Sequence, residues 1–166
     1  LAAGIPEVIA QLKKLPPETP VMIELKDIVG RFFYNTTISE RRYNAIDIAG
    51  MEQLFAYLNS SDLYTIAKIP ALRDYYHGLE NVSHGLAIKG GYLWMEPETN
   101  CYWLNPTSEG TMNYLIQQIL EIKREFPNVK LIIAHIGRAY VKEDVGNAFE
   151  YLTQAPDLMY DFCANC

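Results

Sequence analysis

The apolar residues of this chain fall into two kinds of run that alternate, and that alternation restricts the fold more than any single motif. Val21-Met-Ile-Glu-Leu25 is short and dense, and is followed at once by Lys26, Asp27 and a turn at Gly30. Leu63 to Ile69 is a second such run, ended by Pro70; Val129 to Ala134 is the densest, broken only by Lys130; Leu158 to Phe162 is the last. Apolar runs of this length, bounded by turn residues and lacking strict alternation, predict buried strands. Between them the spacing becomes helical. Ile5, Val8, Ile9, Leu12 and Leu15 recur until Pro16-Pro17 stops them, and Ile48, Met51, Leu54, Phe55 and Leu58 recur within 47–59 until Asn59-Ser60-Ser61-Asp62. Ser108 predicts the N-cap of a third helix, with Met112, Leu115, Ile116, Ile119, Leu120 and Ile122 as its apolar stripe and Pro127-Asn128 as its stop. Glu143 to Leu152 predicts a fourth.

Strand, helix and strand in turn predict an α/β fold with a parallel sheet covered by helices. Right-handed crossovers would bring the C-terminal ends of the strands to one face, where the loops build a site. Polar residues collect there: Glu24, Lys26 and Asp27; Lys68, Arg73 and Asp74; His135 and Arg138; Asp161. Each alone could simply satisfy loop backbone, but four strand ends together mark a functional face. A closed eight-unit barrel needs about 250 residues and seldom fewer than roughly 200. The 166 residues are therefore expected to form one domain, 1–166, with a partial or contracted (β/α) TIM-barrel-like sheet.

Charge and cysteine usage remove several classes of function. A net charge of −6, with the basic residues in separate pairs (Lys13-Lys14, Arg41-Arg42, Lys123-Arg124), argues against a nucleic-acid partner, which requires a basic stripe. No apolar run reaches the ~18 residues of a membrane span, and Leu1 to Leu15 lacks the basic start of a secretory leader, which favours a cytoplasmic location. Three cysteines without framework spacing argue against a disulfide scaffold; Cys163-x-x-Cys166 has the spacing of a metal knuckle, but a single pair reads first as free thiols.

From Leu72 to Pro106 no period is sustained, and a stretch dense in Tyr, Trp, Gly and Pro predicts an ordered loop with a role. Tyr75-Tyr76-His77, Tyr92-x-Trp94 and Tyr102-Trp103-x-Asn105-Pro106 would suit a carbohydrate, since aromatic faces stack on sugar C–H faces while amides bind hydroxyls. The same aromatics would equally pack the loop onto the sheet. Glycoside hydrolysis needs two carboxyl groups, and Glu24, Asp27, Asp74, Glu96 and Glu98 are available, the last two flanking Pro97 as in a solvated turn. His135 directly follows the densest strand and should project into the loop face, although a lone histidine there is more often structural. A metal alternative would draw Glu24, His135 and Asp161 together around Zn or Mn, a hydrolytic site needing about three protein ligands. Nucleophile elbows, P-loops and dinucleotide fingerprints are absent from the sequence.

Three resemblances follow the chain. Val21-Met-Ile-Glu-Leu-Lys-Asp27, Gly30-Arg-Phe-Phe-Tyr34, Tyr64-Thr-Ile-Ala-Lys-Ile-Pro-Ala-Leu-Arg-Asp74, Gly91-Tyr-Leu-Trp94 and Trp103-Leu-Asn-Pro106 resemble a bacterial glycoside-hydrolase-like family with a TIM-barrel fold, over about 21–125. Phe126 to Arg138, Asn147-Ala-Phe-Glu150 and Tyr160 to Asn165 are similar to metal-dependent amidohydrolases, in which His135 matches a late-strand active-site histidine. That family's His-x-His pair and final-strand Asp have no counterpart in this chain. Gly4 to Leu25 is similar, more weakly, to the last unit of sugar-phosphate-isomerase-like barrels, in which the residue matching Glu24 can bind metal.

These resemblances imply a chain recombined near 23–27 and 123–127. The leading expectation is a glycoside-hydrolase-like domain without a full catalytic set and without a cofactor. Asp27, Asp74 and His135 are its candidate catalytic residues, and Lys68, Arg73, Trp94, Trp103, Asn105 and Arg138 its candidate carbohydrate contacts. The alternatives are a metal-dependent amidohydrolase and a non-catalytic scaffold, the latter pairing as a homodimer to cover an open sheet edge.

Overall fold

The computed structural model describes residues 4–41, 48–134 and 159–161. Four parallel strands form the main sheet: β1 (Pro20–Glu24), β2 (Tyr64–Lys68), β5 (Lys130–Ala134) and β6 (Met159–Asp161), in the spatial order β1-β2-β5-β6. Among the described strands of this sheet, each lies beside the next in chain order, with no reversal of direction at a switch point. The registers run Pro20↔Tyr64 to Glu24↔Lys68, Ile66↔Lys130, and Ile132↔Met159 to Ala134↔Asp161. The four predicted strands are therefore present, each within a residue or two of its predicted ends.

Three predicted helices also form: α1 (Ile5–Leu12), α2 (Ile48–Ser60) and α4 (Glu109–Glu125), and no described helix is long and apolar enough to cross a membrane. Ser108 caps α4 as expected, its side chain accepting from the Thr111 amide. The helix predicted over Glu143–Leu152 and the pair Cys163 and Cys166 lie outside the described residues.

The aromatic stretch is built rather than loose. It holds α3 (Tyr75–Glu80), a single 3-10 turn at Val82–His84, and a small hairpin of β3 (Met95–Glu96) and β4 (Cys101–Tyr102). Isolated bridges Arg73↔Trp103, Gly85↔Leu104 and Ala87↔Leu93 knit the rest. The buried Cys101 thiol, pushed up to about 11 by burial, sits 3.0 Å from the Ile28 carbonyl and ties the hairpin to the loop after β1.

The core lies where that loop meets the sheet, α2 and α4. Leu25, Phe32, Tyr34, Phe55, Ala67, Ile122, Phe126 and Val129 form one buried cluster. Phe55 and Phe126 meet edge-to-face at 4.0 Å between ring centroids, with Tyr34 edge-on to both.

One expectation holds only in part. Of the apolar stripe predicted for α4, Ile122 is buried in the core and Leu115 and Ile119 are half-buried, but Met112, Ile116 and Leu120 are 43%, 48% and 64% exposed. The buried positions are Thr111, Tyr114, Gln118, Glu121 and Ile122. The cause is the polar loop chemistry that α4 meets. Glu121 accepts hydrogen bonds from the Tyr34 hydroxyl (2.7 Å), the Thr36 hydroxyl, and the Thr37 amide and hydroxyl (2.7 Å each).

Burial alone would raise the Glu121 carboxyl, but these donors outweigh it and hold it below its ordinary value of 4.5. A carboxylate held low in the fold contributes stability that is fully present above about 4.5 and is lost as pH falls through the folded value. Glu121→Gln should therefore cost about 1–3 kcal/mol at neutral pH, and the difference from the parent should shrink in urea melts repeated below pH 4. An equal difference at both pH values would show that the charge is not what matters.

Candidate functional site

The loops that follow β1 and β2 are locked together by one buried ion pair. Lys26, one residue beyond Leu25, is fully buried, and its Nζ lies 2.7 Å from Oδ2 of Asp74, which is 1% exposed. The Tyr114 hydroxyl of α4 donates to the same oxygen at 2.8 Å. Asp74 Oδ1 caps α3 by accepting from the His77 amide at 2.9 Å. Rings of Phe32 and Tyr114 lie 5.9 and 5.6 Å from the ammonium, close enough for cation–π attraction. Gly30 has φ +96, and a Cβ there would fall 2.1 Å from Asp74 Oδ1, so both backbone and space require glycine.

Around this hub the aromatic groups stack. The His77 ring lies 3.7 Å from that of Tyr114 at 9°, and His77 Nε2 is 2.9 Å from His84 Nδ1. Burial lowers His77 below its usual 6.5, with Asp74 opposing. A neutral ring suits the contact, because one proton can then be shared between the facing nitrogens. Both Tyr114 and Tyr34 are driven well above the ordinary phenol range, by burial first and by their carboxylate partners second.

A cavity of about 800 Å³ opens between residues 38–41, α3 and the first half of α4. Arg41, Asp74, His77, Glu80, Asn113 and Gln117 are among its lining residues. Arg41 pairs with Glu80 and lies 4.4 Å over the Tyr76 ring, joining the β1 loop to α3.

The structure distributes the predicted site residues unevenly. Asp74 borders the cavity. Asp27 instead closes its own turn, receiving the Arg31 amide (2.9 Å) and guanidinium (2.7 Å). Arg73, Trp94 and Trp103 are brought together: the Arg73 guanidinium lies 5.2 Å over the Trp103 ring, Trp94 is 5.9 Å from Trp103, and Glu96 receives Arg73 at 3.4 Å. This aromatic shelf is not part of the cavity wall.

Asn105 folds a turn ahead of α4, its Oδ1 accepting from the Thr107 amide and hydroxyl. Lys68 and Glu24 pair at 3.2 Å across adjacent strand ends. His135 and Arg138 lie outside the described residues. Asp161 ends β6 in register with Ala134. β6 stands three places from β1 in the sheet order. Among the described residues no group of three or more His, Cys, Asp or Glu is placed to hold a metal ion.

Lys26, Tyr114, the His77–His84 pair and Arg41–Glu80 were not among the predicted site residues. Two of them left a trace in the sequence: Lys26, as a charge directly after a buried run, and His77, within the aromatic Tyr75-Tyr76-His77.

Removing one partner of a buried ion pair strands the other, at about 3–5 kcal/mol. Asp74→Ala should cost that much in chemical denaturation, because it strands Lys26, Tyr114 and the α3 cap together. Lys26→Met should cost less, since Asp74 keeps Tyr114 and the His77 amide. The reverse order would make Lys26, not Asp74, the residue that holds the site.

Comparison with known proteins bears on this arrangement. The family model described as "Putative glycosyl hydrolase domain" matches residues 8–125. The match runs across 23–27 and takes in most of the stretch resembling isomerase-like barrels. It ends at Glu125, and the comparisons lend no support to an amidohydrolase segment or to a recombined origin. No curated protein matches. Among solved structures, a hypothetical protein from Ruminiclostridium thermocellum superposes with TM-score 0.66 at 11% identity, over 96% of this chain and 90% of that one. The maltogenic α-amylase AmyB from Thermotoga neapolitana superposes with TM-score 0.60 at 12% identity, over 94% of this chain and 40% of the amylase. At such identities the likeness is one of fold, a mixed α/β architecture with a small parallel sheet shared with a glycosidase-like barrel. The family match covers well over half of the sequence, and the chain belongs to this glycosyl-hydrolase-like domain family.

Proposed function

We propose that this chain is a carbohydrate-binding, glycoside-hydrolase-like domain that receives a short oligosaccharide in the cavity between residues 38–41, α3 and α4. The observation that carries the reading is the cavity's lining. Asn81, Asn113 and Gln117 offer amides that both donate and accept, Glu40, Glu80 and Arg41 add charges of both signs, and the Tyr76 ring supplies an aromatic surface. Sugar hydroxyls need paired donors and acceptors, and sugar C–H faces need a ring, so this mixture matches a carbohydrate better than an anion or an apolar ligand. About 800 Å³ lies within the range of small-molecule sites. Family membership and the fold shared with a maltogenic amylase support the same substrate class.

The proposal assigns binding rather than bond cleavage to the described residues. Glycosidase chemistry needs a proton donor and a second carboxylate poised on either side of the bond. Asp74 is committed to Lys26, Tyr114 and the α3 cap, and Asp27 to Arg31.

Calorimetric titration with malto-oligosaccharides and with cello-oligosaccharides tests the reading. At least one class should bind, and Asn113→Ala or Gln117→Ala should weaken it roughly fivefold, the worth of about one hydrogen bond. Trp94→Ala should leave binding nearly unchanged. Loss of binding in Trp94→Ala with silent cavity variants would move the sugar to the Trp94–Trp103 shelf. Absence of heat with both classes, together with unchanged Trp fluorescence, would refute the carbohydrate reading.

A further inference from the structure

The exposed stripe of α4 cannot be hidden by turning the helix. Rotation that buried Met112, Ile116 and Leu120 would pull Tyr114 off Asp74 and Glu121 off Tyr34, Thr36 and Thr37. It would leave those polar groups buried without partners, at a higher cost than the exposed methyls. The stripe is therefore fixed on the outside by the chemistry on the inside.

Its pattern is self-complementary. Glu109, Met112, Ile116, Leu120 and Lys123 sit at offsets −7, −4, 0, +4 and +7 from Ile116. At 3.6 residues per turn they share an arc of about 80° on the helix. An identical helix laid antiparallel across a two-fold axis at Ile116 sets Ile116 against itself, Met112 against Leu120, and Glu109 against Lys123. A parallel arrangement would instead bring each charge against its like. The half-buried Leu115 and Ile119 widen the apolar side of the stripe.

We propose that this chain self-associates through an antiparallel, two-fold contact between α4 helices, with Ile116 on the axis and Glu109–Lys123 pairs at both ends. The contact is isologous, the form that closes at two copies. One helix face offers less than the roughly 1,200 Å² of a standard stable interface, so the dimer should be weak and concentration-dependent. This inference rests on α4 alone and stands apart from the sugar reading.

Sedimentation velocity from micromolar to near-millimolar protein is the test. The parent chain should pass from monomer toward dimer as concentration rises. Ile116→Lys, on a half-exposed position, should raise the dissociation constant at least about tenfold without lowering the melting temperature. Glu109→Lys should weaken the dimer, and Glu109→Lys combined with Lys123→Glu should recover most of the loss, a reciprocity that a merely sticky surface would not show. Lys123 also reaches the Val129 carbonyl at 3.2 Å, so a melting curve accompanies each variant. A monomer at all concentrations, or a dimer indifferent to Ile116→Lys, would overturn the proposal. So would a double variant no tighter than Glu109→Lys alone, with its fold intact.

Discussion

The buried Lys26–Asp74 pair is the constraint around which the described part of this domain is arranged. Bringing an ammonium and a carboxylate out of water is costly, and their attraction repays it only when the remaining hydrogen-bonding capacity is used. Here the carboxylate uses its capacity to recruit the Tyr114 hydroxyl from α4 and the His77 amide from α3. The cation, beyond its contact with Asp74, has the rings of Phe32 and Tyr114 against it and no hydrogen-bond partner among the described residues. Each recruitment fixes a piece of backbone. α3 starts where Asp74 can cap it, Gly30 passes where only a hydrogen fits, and α4 presents Tyr114 inward. The cavity lies between these elements, so its shape follows from the ion pair beside it.

The inside of α4 extends the same logic to the other end of the helix. Thr111 donates to the His84 carbonyl at 2.9 Å, Tyr114 to Asp74, and Glu121 gathers the hydroxyls of the β1 loop. A helix that braces polar loops must turn polar residues inward, and its apolar residues then fall elsewhere. Ile122 and the following Phe126 still reach the core, where they join the cluster that holds Leu25, Phe32 and Tyr34. The inner face of α4 thus changes from polar to mixed towards its C-terminal end.

That change explains what was legible in the sequence and what was not. The strands were legible because each is a short apolar run with a breaker beside it, which depends only on neighbouring residues. The Ser108 cap was legible for the same reason. The orientation of α4 was not, because its partners lie far away in the chain: Glu121 meets Tyr34 at a separation of 87 residues and Tyr114 meets Asp74 at 40. Periodicity marks which residues of a helix share a face but not whether apolar or polar groups await it. The short α3 was hidden too, its six residues supported by a side-chain cap rather than by a periodic face. At the site, polar strand ends singled out Asp74, and aromatic density singled out the Trp94–Trp103 shelf. Lys26 looked like one strand-end charge among several, because its ion pair becomes visible only when β1 and β2 are side by side.

Parallel pairing turns these separate strand ends into one surface. Glu24 and Lys68 face each other in register, so the residues that follow them, Leu25 onward and Ile69 onward, leave the sheet side by side. The parallel order of the described sheet repeats this step from pair to pair, and consequently each loop can be held by the loop before it. In this chain the holding is ionic at the centre, through Lys26 and Asp74, and again at the rim, through Arg41 and Glu80. The two pairs differ in solvent exposure, and so in what they can do. The buried one sets the architecture, whereas the exposed one is screened by water and can exchange its partner for a ligand at little cost. Under the proposed carbohydrate reading, a rim pair of that kind suits a cavity that admits a polar molecule without disturbing the fold beneath it.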